Sequence, residues 1–369
     1  MENVYLIAAG GTGGHFYPGF ALGMKLKERG HDVVFVIKKN SPSIELLKEN
    51  EINYHEMDFS GMPRGKNPFK WIVFVWKLLA SLFKMRGLIK SYKPAVCIGM
   101  GGYISFPLIY AAHHAGVKTV VHDSNSKIGL ANRICDRYVD LFLLGMPTTD
   151  KLKRALLVGT PVREEFRLKE SVEEKNYWDF ATDFGITILI FGGSQGAKFL
   201  NRAAAQTVLS LFKKTQRLHI VHITGTRDYE DIKALYNGNP NVEIVPYAEE
   251  IHALMKAAHF VISRSGAGTL AELIALKKPA ILVPYPYASD NHQYYNAKML
   301  SDKGCAVLIN ETQTLHADIE AVIKKILASP EAIKNMSANF KGAGLPDSLN
   351  AADNAADIIE KLVCGQLKN

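Results

Sequence analysis

Cysteine is scarce in this sequence, and no two cysteines stand close together. The 369 residues contain four, which are Cys97, Cys135, Cys305 and Cys364. Disulfide-rich secreted domains and structural zinc sites use closely spaced cysteines, such as Cys-x-x-Cys pairs. The four scattered residues therefore predict reduced thiols in a cytosolic protein, without a disulfide framework or a zinc site.

A long apolar run is also missing. The longest candidate, Trp71–Phe83, has 13 residues and includes Lys77, whereas a membrane-spanning helix needs roughly 18–20 apolar residues. The N-terminus passes from Met1 straight into an apolar segment, Val4–Ala9, without the basic stretch of a secretory signal. We therefore expect neither a membrane span nor a secretory leader.

Acidic residues are absent between Asp58 and Asp123, a window of 64 residues that holds nine lysines and arginines. Residues 1–160 carry 21 Lys and Arg against 12 Asp and Glu, a net charge of +9, and the other 209 residues carry 23 against 24. The whole positive excess thus lies in the first half. A one-sided basic surface attracts a polyanion, which could be nucleic acid, an anionic membrane or a phosphorylated substrate.

Short apolar runs alternate with helical patterns along the chain. Most of these runs are apolar at consecutive positions, so both strand faces should be buried, which is typical of a parallel sheet covered by helices on each side. The pattern starts anew after about residue 185. The predicted strands are Val4–Ala9, Asp32–Ile37, Asn53–Asp58, Ala95–Met100, Thr119–His122, Leu141–Leu144, Ile186–Phe191, His219–Thr224, Val242–Pro246, Phe260–Ser263, Ala280–Val283 and Ala306–Ile309.

The sequence thus predicts an α/β fold with two Rossmann-like, doubly wound parallel-sheet domains that face each other across a cleft. We place the first domain at residues 1–162 and the second at residues 163–345. The C-terminal segment, residues 346–369, contains a predicted helix over Leu349–Leu362 and should pack back on the first domain. Open parallel sheets bind ligands at the carboxyl ends of their strands.

A glycine-rich loop follows the first strand. Gly10–His15 reads Gly-Gly-Thr-Gly-Gly-His and precedes a helix predicted around Pro18–Glu28. Glycines let backbone N–H groups approach an anion, and a helix N-terminus favours negative charge. The loop matches neither a P-loop nor the dinucleotide pattern Gly-x-Gly-x-x-Gly, and the second strand ends in Lys38-Lys39 rather than in an acidic residue. A tight turn without a ligand is the alternative.

Three comparable segments lie in the second half. Gly192–Ala197 reads Gly-Gly-Ser-Gln-Gly-Ala and follows the strand that opens the second domain. Arg264–Thr269 precedes Glu272, whose carboxylate could accept hydrogen bonds from ribose hydroxyls; a solvated charge early in a helix is the alternative. Asp290–Gln293 offers amides and an imidazole that suit sugar hydroxyls, although a simple helix start would also explain it.

Two further polar segments, Met100–Pro107 and His122–Asn125, end strands of the first domain, where turn residues without a ligand are the alternative. Together, all these segments resemble the bacterial MurG family of glycosyltransferases, and the resemblance covers nearly the whole chain. It implies the GT-B fold. It also implies inverting transfer of GlcNAc from UDP-GlcNAc to the 4-hydroxyl of MurNAc in undecaprenyl-diphospho-MurNAc-pentapeptide, the step from lipid I to lipid II in peptidoglycan synthesis.

The resemblance assigns residues in the first half. Asn125 would contact the GlcNAc, and Arg163 the nucleotide-sugar. The donor and diphosphate site would be lined by Thr12, Gly13 and Gly14. The family usually reads His-Glu-Gln-Asn where this chain has His122–Asn125, and Asn where Thr160 stands. These departures argue against a role for Asp123 and Ser124.

In the second half, the resemblance places Ser194 on the nucleotide and the backbone of Ala248 on the uracil. Gln293 would bind sugar hydroxyls, and Glu272 would bind the ribose hydroxyls. The phosphates and ribose would be held by the segment formed by Ala267, Gly268, Thr269, Leu270, Ala271 and Glu272. The family often has Gln-Gln where this chain has His292-Gln293, so His292 receives no role.

Sugar transfer needs a stabilised leaving group and a deprotonated acceptor hydroxyl. The sequence has no Asp-x-Asp triplet, a common metal-binding motif, but has several glycine loops at helix starts. We therefore expect N–H groups and helix dipoles to stabilise UDP, without a metal or another cofactor. His15 is the candidate base because it lies on the anion loop and titrates near neutral pH. Capping the helix or binding an acceptor phosphate is its alternative role.

The segment Phe69–Tyr92 mixes aromatic and aliphatic residues with lysines and arginines. This composition suits a helix that lies on an anionic membrane surface, although an ordinary amphipathic core helix has the same length and apolarity. The acid-free window favours the membrane, and hence a peripheral protein on the cytoplasmic face of the inner membrane. The expected partners are UDP-GlcNAc, the undecaprenyl-diphosphate-linked acceptor and that membrane surface, but no nucleic acid.

Other functions stay open at this point. UDP-GlcNAc 2-epimerases share the two-domain architecture and the donor, but would not need a basic, aromatic helix. Galactolipid synthases share the glycine motifs but use diacylglycerol and UDP-galactose. A nucleic-acid binder would explain the charge, but not the glycine loops with Glu272 and Gln293 behind them.

Overall fold

A computed structural model describes residues 2–10, 13–59, 61, 63, 67–167, 185–193, 196–215, 217–329 and 331–367. The chain divides into two compact units. The first comprises Met1–Arg163 and Pro346–Asn369, and the second comprises Glu164–Leu345. The strand pairs are all parallel in both units, so the prediction of two parallel-sheet α/β units is confirmed.

The first unit is built on a seven-stranded sheet in the order β3-β2-β1-β4-β5-β6-β7. Its strands are β1 Val4–Ala8, β2 Asp32–Lys38, β3 Asn53–Met57, β4 Val96–Gly99, β5 Lys118–Asp123, β6 Leu141–Leu144 and β7 Ala155–Leu157. Its described helices are α1 Gly13–Glu28, α2 Ser43–Glu49, α3 Pro68–Tyr92, α4 Ser105–His114 and α5 Leu130–Cys135, with a last helix, α13, at Ala351–Val363.

Helices cover both faces of this sheet because its strands are apolar at consecutive positions. Tyr5 and Ile7 point to a core that includes residues of α1 and α13. Leu6 and Ala8, on the opposite face of β1, join a core with residues of α3 and α4. In the central strands neither face meets water, so these strands show no alternation of polar and apolar residues.

Two predictions for the first unit need correction. α1 begins at Gly13, five residues before the predicted start at Pro18, so the glycine loop runs directly into the helix. Pro18 lies inside the helix. Because proline has no backbone N–H, the Gly14 carbonyl accepts no helical hydrogen bond from it. The edge strand β7 was not predicted, because it has only three residues and Leu156 and Leu157 are exposed.

The C-terminal helix α13 packs on α1 through alanines and charges. Ala355 and Ile359 are buried in the core that also holds Leu22 and Leu26 of α1. At the C-terminal end of α1, the Arg29 guanidinium donates to the carboxylates of Asp357 at 2.6 Å and Glu360 at 2.9 Å. The helix therefore returns to the first unit, although it follows the second unit in sequence.

The second unit repeats the design with a six-stranded sheet in the order β10-β9-β8-β11-β12-β13. Its strands are β8 Ile186–Phe191, β9 Leu218–Ile223, β10 Val242–Val245, β11 Phe260–Ser263, β12 Ala280–Leu282 and β13 Ala306–Leu308. Its described helices are α6 Lys198–Phe212, α7 Tyr229–Tyr236, α8 Ile251–Ala257, α9 Ala267–Leu276, α10 His292–Ser301, α11 Leu315–Ala328 and α12 Glu331–Gly342.

Strand order reverses once in each sheet. β1 lies between β2 and β4, and β8 lies between β9 and β11. The loops that follow β1 and β4, or β8 and β11, therefore leave the same sheet edge in opposite directions and open a crevice, the usual ligand site of such sheets. Within the described residues, no helix is both long and apolar enough to cross a membrane.

Candidate functional site

The glycine loop after β1 meets the loop after β4 through His15. His15 lies in the first turn of α1, and a Cβ atom added to Gly101 would lie 2.6 Å from its Nδ1. Gly101 has φ +107 and Gly102 has φ +74, a backbone region that favours glycine. The imidazole thus packs on a backbone that only glycine can form. Gly13 and Gly14 precede His15 in the same turn, whereas Thr12 lies outside the described residues.

Ser105 fixes the turn on which His15 rests. The Gly101 N–H donates to Ser105 Oγ at 2.9 Å, and the Ser105 hydroxyl donates to the Gly101 carbonyl at 2.9 Å. Ser105 is fully buried at the start of α4. One hydroxyl therefore satisfies both backbone groups of a residue with positive φ, and the turn needs no water to do so.

The loop after β5 is organised by Asp123, which is almost fully buried. Its Oδ1 accepts from the Asn125 backbone N–H at 2.9 Å and from the Asn125 side-chain amide at 3.0 Å. Its Oδ2 accepts from Gly129 N at 3.1 Å and Asn132 Nδ2 at 3.0 Å. One carboxylate thereby holds the whole segment in a single shape, and it orients the side chain assigned to the sugar.

His122, the residue before Asp123, links this loop to the end of β7. It is fully buried, and its Nε2 lies 3.0 Å from the Gly159 carbonyl. A carbonyl only accepts, so Nε2 carries the proton. Burial lowers the pKa of His122, which keeps the ring neutral. His122 therefore acts as a fixed donor between two loops.

Thr160 stands where the resemblance led us to expect Asn. It is buried, and a Cβ atom on Gly145 would overlap with its Oγ1. Its hydroxyl forms no hydrogen bond to any described residue. Thr160 thus packs directly against the backbone of Gly145, and this contact leaves no room for a side chain at position 145.

Arg163 ends the first unit and lies against α1. Its guanidinium carbon is 5.1 Å from the ring centre of Tyr17, at a distance typical of a cation–π contact. Tyr17 in turn lies close to Gly13, where an added Cβ would be 3.1 Å from the ring. The aromatic ring thus holds the cation beside the glycine turn of α1.

In the second unit, the loops after β8 and β9 touch through their backbones. Gly196 has φ +70 and Gly225 has φ +79. A Cβ atom on Gly225 would lie 3.1 Å from the Gly196 Cα. Ser194, assigned to the nucleotide, lies outside the described residues.

The loop after β11 leads into α9 with an open N-terminus. Gly266 is the N-cap, and no side chain caps the helix. The first-turn N–H groups, which belong to Ala267, Gly268 and Thr269, therefore have no intrahelical acceptor and suit an anion. Leu270 and Ala271 are buried in the core, so only their backbone can serve a ligand. Glu272 is half-buried in the second turn.

Gln293 is held beside this helix start. Its Oε1 accepts from Tyr285 N at 2.9 Å, and its carbonyl accepts from the Ser265 hydroxyl at 2.8 Å. Asn296, one turn later in α10, donates to the Ser265 carbonyl at 3.2 Å. The amide nitrogen of Gln293 carries two N–H donors, which hydroxyl oxygens can accept.

Ala248 lies half-buried between β10 and α8, on the loop that leaves the same edge of the second sheet. The loops after β8, β9, β10, β11 and β12 all leave this edge, because parallel strands end together. The second unit therefore collects Ala248, α9 and Gln293 along one edge.

Helix α3 presents an apolar surface to solvent. Asn67 caps it by accepting from Phe69 N at 3.0 Å. Only the second half packs on the unit, through Met85, Leu88 and Ile89. The first half leaves large side chains outside, with Phe69 77% and Trp76 73% exposed. We call the exposed set the α3 surface, which comprises Phe69, Trp71, Ile72, Val73, Val75, Trp76, Leu79 and Phe83. A core helix does not leave such residues in water.

Two cations near the α3 surface already have partners. Lys77 forms an ion pair with Asp58 at 3.0 Å, and Lys84 donates to the Glu56 carbonyl at 2.6 Å. Lys70 and Lys90 are exposed on the same helix. The basic character of α3 therefore rests more on Lys70 and Lys90 than on Lys77.

Sequence reasoning missed several residues that build the site. Asp123 was set aside because the family usually has Glu there, yet it accepts four hydrogen bonds. Arg264 is buried and donates to the carbonyls of Val283 and Pro284 at 3.2 Å, besides pairing with Glu311. A buried charge at a strand end was the available signal for both.

Comparisons with known proteins match most of this chain to glycosyltransferases. Residues 5–143 match the glycosyltransferase family 28 N-terminal domain, and residues 187–357 match its C-terminal domain. The chain is 46% identical, over 97% of its length and 99% of the relative, to a UDP-N-acetylglucosamine–N-acetylmuramyl-(pentapeptide) pyrophosphoryl-undecaprenol N-acetylglucosamine transferase of Elusimicrobium minutum.

Solved structures show the same fold. MurG of Acinetobacter baumannii superposes with a TM-score of 0.78 and 26% identity, covering 98% of this chain and 100% of that one. The UDP-GlcNAc 2-epimerase of Neisseria meningitidis, bound to UDP-GlcNAc, reaches 0.68 at 14% identity, with 98% and 100% covered. The epimerase shows a common fold alone. The resemblance drawn from the sequence is confirmed: the chain belongs to the family of UDP-N-acetylglucosamine–N-acetylmuramyl-(pentapeptide) pyrophosphoryl-undecaprenol N-acetylglucosamine transferases, the MurG family.

Proposed function

We propose that this protein transfers N-acetylglucosamine from UDP-GlcNAc to the muramyl sugar of an undecaprenyl-diphosphate-linked pentapeptide, and so forms lipid II from lipid I in peptidoglycan synthesis. The observation that carries the proposal is the 46% identity to a transferase of that name across 97% of the chain. The loops at the sheet edges supply the chemistry that such a transfer needs.

The second unit binds the donor in this proposal. The open N-terminus of α9 takes the diphosphate, because its N–H groups lack acceptors and its dipole favours negative charge. Glu272 accepts from the ribose hydroxyls, and Gln293 donates to hydroxyls of the sugar. The backbone of Ala248 reads the uracil edge, and Ser194 touches the nucleotide.

The first unit supplies the acceptor side. His15 takes the proton from the 4-hydroxyl of the muramyl sugar, and its ring is kept in place by the Gly101 turn. Asn125 contacts the GlcNAc in the orientation that Asp123 imposes. Arg163, held by Tyr17, meets the nucleotide-sugar. The backbone of Gly13 and Gly14, with Thr12, lines the site for donor and diphosphate.

The reaction is a single displacement. The acceptor oxygen attacks the anomeric carbon as the bond from that carbon to the UDP oxygen breaks, so the configuration inverts. The hydroxyl proton goes to His15, and the electron pair leaves with UDP. Helix N-termini and backbone N–H groups stabilise the charge on UDP, a task that other transferases give to a metal on an Asp-x-Asp motif, which this sequence lacks.

We place the protein on the cytoplasmic face of the inner membrane, as a peripheral enzyme. The α3 surface offers exposed aromatic and aliphatic side chains together with Lys70 and Lys90, and amphipathic helices of this composition lie at anionic lipid interfaces. Such docking would bring the first unit to an acceptor that is anchored in lipid.

The deciding experiment is a transfer assay in the presence of EDTA. The protein is incubated with radiolabelled UDP-GlcNAc and a short-chain lipid I analogue, and products are separated into lipid and aqueous phases. We expect label in the lipid phase as a disaccharide. Label in the aqueous phase as UDP-ManNAc, or as free ManNAc where water also releases UDP, would instead identify an epimerase. Activity that returns only on adding excess Mg²⁺ would refute the metal-independent mechanism. In a parallel incubation with diacylglycerol, label transferred to diacylglycerol but not to the lipid I analogue would refute the proposed acceptor.

A further inference from the structure

A chain of hydrogen-bonded, buried polar residues links α6, β9 and α7 in the second unit. Asn201 on α6 and His222 on β9 are fully buried, and Tyr236 on α7 is 2% exposed. Asn201 Nδ2 donates to the Thr224 carbonyl at 2.8 Å and to Asp228 Oδ2 at 2.9 Å. His222 Nε2 lies 3.3 Å from Asn201 Oδ1, and its Nδ1 lies 3.0 Å from the Tyr236 hydroxyl.

The direction of these bonds is fixed along the whole chain. Asn201 donates with its nitrogen, so its oxygen accepts and His222 Nε2 carries the proton. The Tyr236 hydroxyl then donates to Nδ1. Burial lowers the pKa of His222 to about 3, so the ring is neutral, as this pattern requires. Each polar atom of the Asn201 side chain is therefore used.

The position of Asn201 makes this network more than a core contact. Its backbone N–H donates to the Ala197 carbonyl, at the end of the glycine loop, at 2.8 Å. Its side chain holds Thr224, and the next residue, Gly225, lies against Gly196. Asn201 thus connects the loops after β8 and β9 through hydrogen bonds to Ala197 and Thr224.

We propose that Asn201 is a positioning residue for donor binding: it clamps the Thr224–Gly225 turn against Gly196 and so fixes the backbone at Gly196, just before α6, where the nucleotide binds. This inference rests on the proposed function, which gives the loop to the nucleotide. Backbone that is held in place before a ligand arrives loses little conformational entropy when the ligand binds, so the binding affinity is higher.

Thr207 provides a matched control. It lies on the same helix, is fully buried, and its hydroxyl donates to the Ala203 carbonyl at 3.0 Å and the His316 carbonyl at 2.8 Å. Thr207→Val therefore removes a buried hydrogen bond from α6 without touching either loop. A purely structural role for Asn201 predicts that both variants lose stability and that neither loses affinity for UDP.

UDP binding is measured by calorimetry for the wild type, Asn201→Ala and Thr207→Val, and the KM of each substrate is measured in the transfer assay. We expect Asn201→Ala to weaken UDP binding by about ten-fold and to raise the KM of UDP-GlcNAc without raising that of the acceptor. Thr207→Val should bind UDP like the wild type.

Gly225→Ala tests the same contact without altering Asn201, and it serves if Asn201→Ala does not fold. Its Cβ would press on Gly196, so it should also weaken UDP binding. If both variants fold and both bind UDP like the wild type, the inference is overturned and the proposed function is left intact. The same holds if only Gly225→Ala folds and it binds UDP normally. A wild type that does not bind UDP would overturn the proposed function itself.

Discussion

The Asp123 carboxylate and the Asn125 side chain form one unit: Asp123 Oδ1 accepts both the backbone N–H and the side-chain amide of Asn125, at 2.9 and 3.0 Å. The amide orientation of Asn125 is therefore set by a buried anion rather than by solvent. A short acidic side chain achieves this because it reaches forward to the residue two positions later in its own loop. The orientation of the residue assigned to the sugar thus depends on the buried carboxylate two residues earlier.

Replacing Asp123 by Asn should impair donor binding. Asn at 123 would turn an amide nitrogen towards groups that all donate, so at least one of the four hydrogen bonds is lost. We expect the KM of UDP-GlcNAc to rise about ten-fold, with a smaller change in the KM of the acceptor. Steady-state kinetics with each substrate varied in turn measure the difference.

Asp140→Asn is the control for that variant. Asp140 accepts from the Thr119 N–H at 2.8 Å and from the Thr119 hydroxyl at 3.0 Å, at the start of β5 rather than at its end. It should reduce stability without changing either KM. Equal KM values for Asp123→Asn and Asp140→Asn would show that Asp123 only stabilises the fold.

The sequence predicted the sheets well because buried parallel strands are apolar at most consecutive positions, and such runs are visible without tertiary contacts. β4 Val96–Gly99 and β8 Ile186–Phe191 are examples, each within one residue of its predicted bounds. β7 escaped prediction because two of its three residues are exposed. Its pairing with β6 comes from tertiary structure, which no local pattern records.

Sequence analysis could predict the residues of the candidate site only where they belong to a recognisable sequence motif. The glycine loops stand at strand ends that the sequence locates, and Gln293 lies in the first turn of α10. The partners of those residues were not predictable: Tyr17 meets Arg163, and Gly101 meets His15, across long separations in sequence. These pairs exist because parallel strands bring distant loops to one edge, so they follow from topology rather than from spacing.

His15→Ala should lower kcat by about 100-fold or more while the affinity for UDP stays within a factor of about two, because a base acts only on the acceptor proton. Rapid-quench kinetics and calorimetry with UDP separate the two effects. His114→Ala, at an exposed position on α4, is the control. Near-normal turnover in His15→Ala would remove His15 from the mechanism.

Gly101→Ala should abolish most activity through His15. The new Cβ would lie 2.6 Å from His15 Nδ1, and φ +107 is unfavourable for alanine. Gly116→Ala is a close control, because Gly116 has φ +71 but nothing lies within 4 Å of the added Cβ. Both variants should lose about 1–2 kcal/mol of stability, and only Gly101→Ala should lose kcat. Equal activity in the two would show that the ring moves freely.

Changes on the α3 surface should weaken membrane binding. Phe69→Ser with Trp76→Ser removes two of the most exposed side chains, so flotation with anionic vesicles should fall several-fold. Phe199→Ser, on the second unit, is the control, since Phe199 is 44% exposed. Transfer to a short-chain, water-soluble acceptor should stay unchanged. Full flotation of the double variant would exclude α3 as the docking surface.

Lys70 and Lys77 should differ although both lie on α3. The Lys77 ammonium is held by Asp58 at 3.0 Å, so it must break this ion pair to contact a lipid phosphate, although Lys77→Gln lowers the net charge by one just as Lys70→Gln does. Lys70→Gln removes an exposed charge near the N-terminal end of the helix. We expect Lys70→Gln to weaken binding to anionic vesicles more than Lys77→Gln, with the difference fading at high salt. The reverse order would assign lipid contact to Lys77.

Stability should fall as the pH is lowered below neutrality, because buried histidines must stay neutral in the folded state. Burial lowers the pKa of His222 to about 3, and also lowers the pKa of His122, His219 and His259. Below about pH 6.5 the unfolded chain binds protons at these sites and the native state does not, so each such group reduces the free energy of unfolding by up to about 1.4 kcal/mol per pH unit. For His222 this loss continues down to its folded pKa.

Urea titrations of the wild type and His222→Asn between pH 7.5 and 5 should give a smaller decline in the free energy of unfolding for the variant, whatever its stability at pH 7.5. Parallel curves for the two proteins would mean that His222 is protonated in the folded state, which would also contradict the hydrogen bond that its Nδ1 accepts from Tyr236.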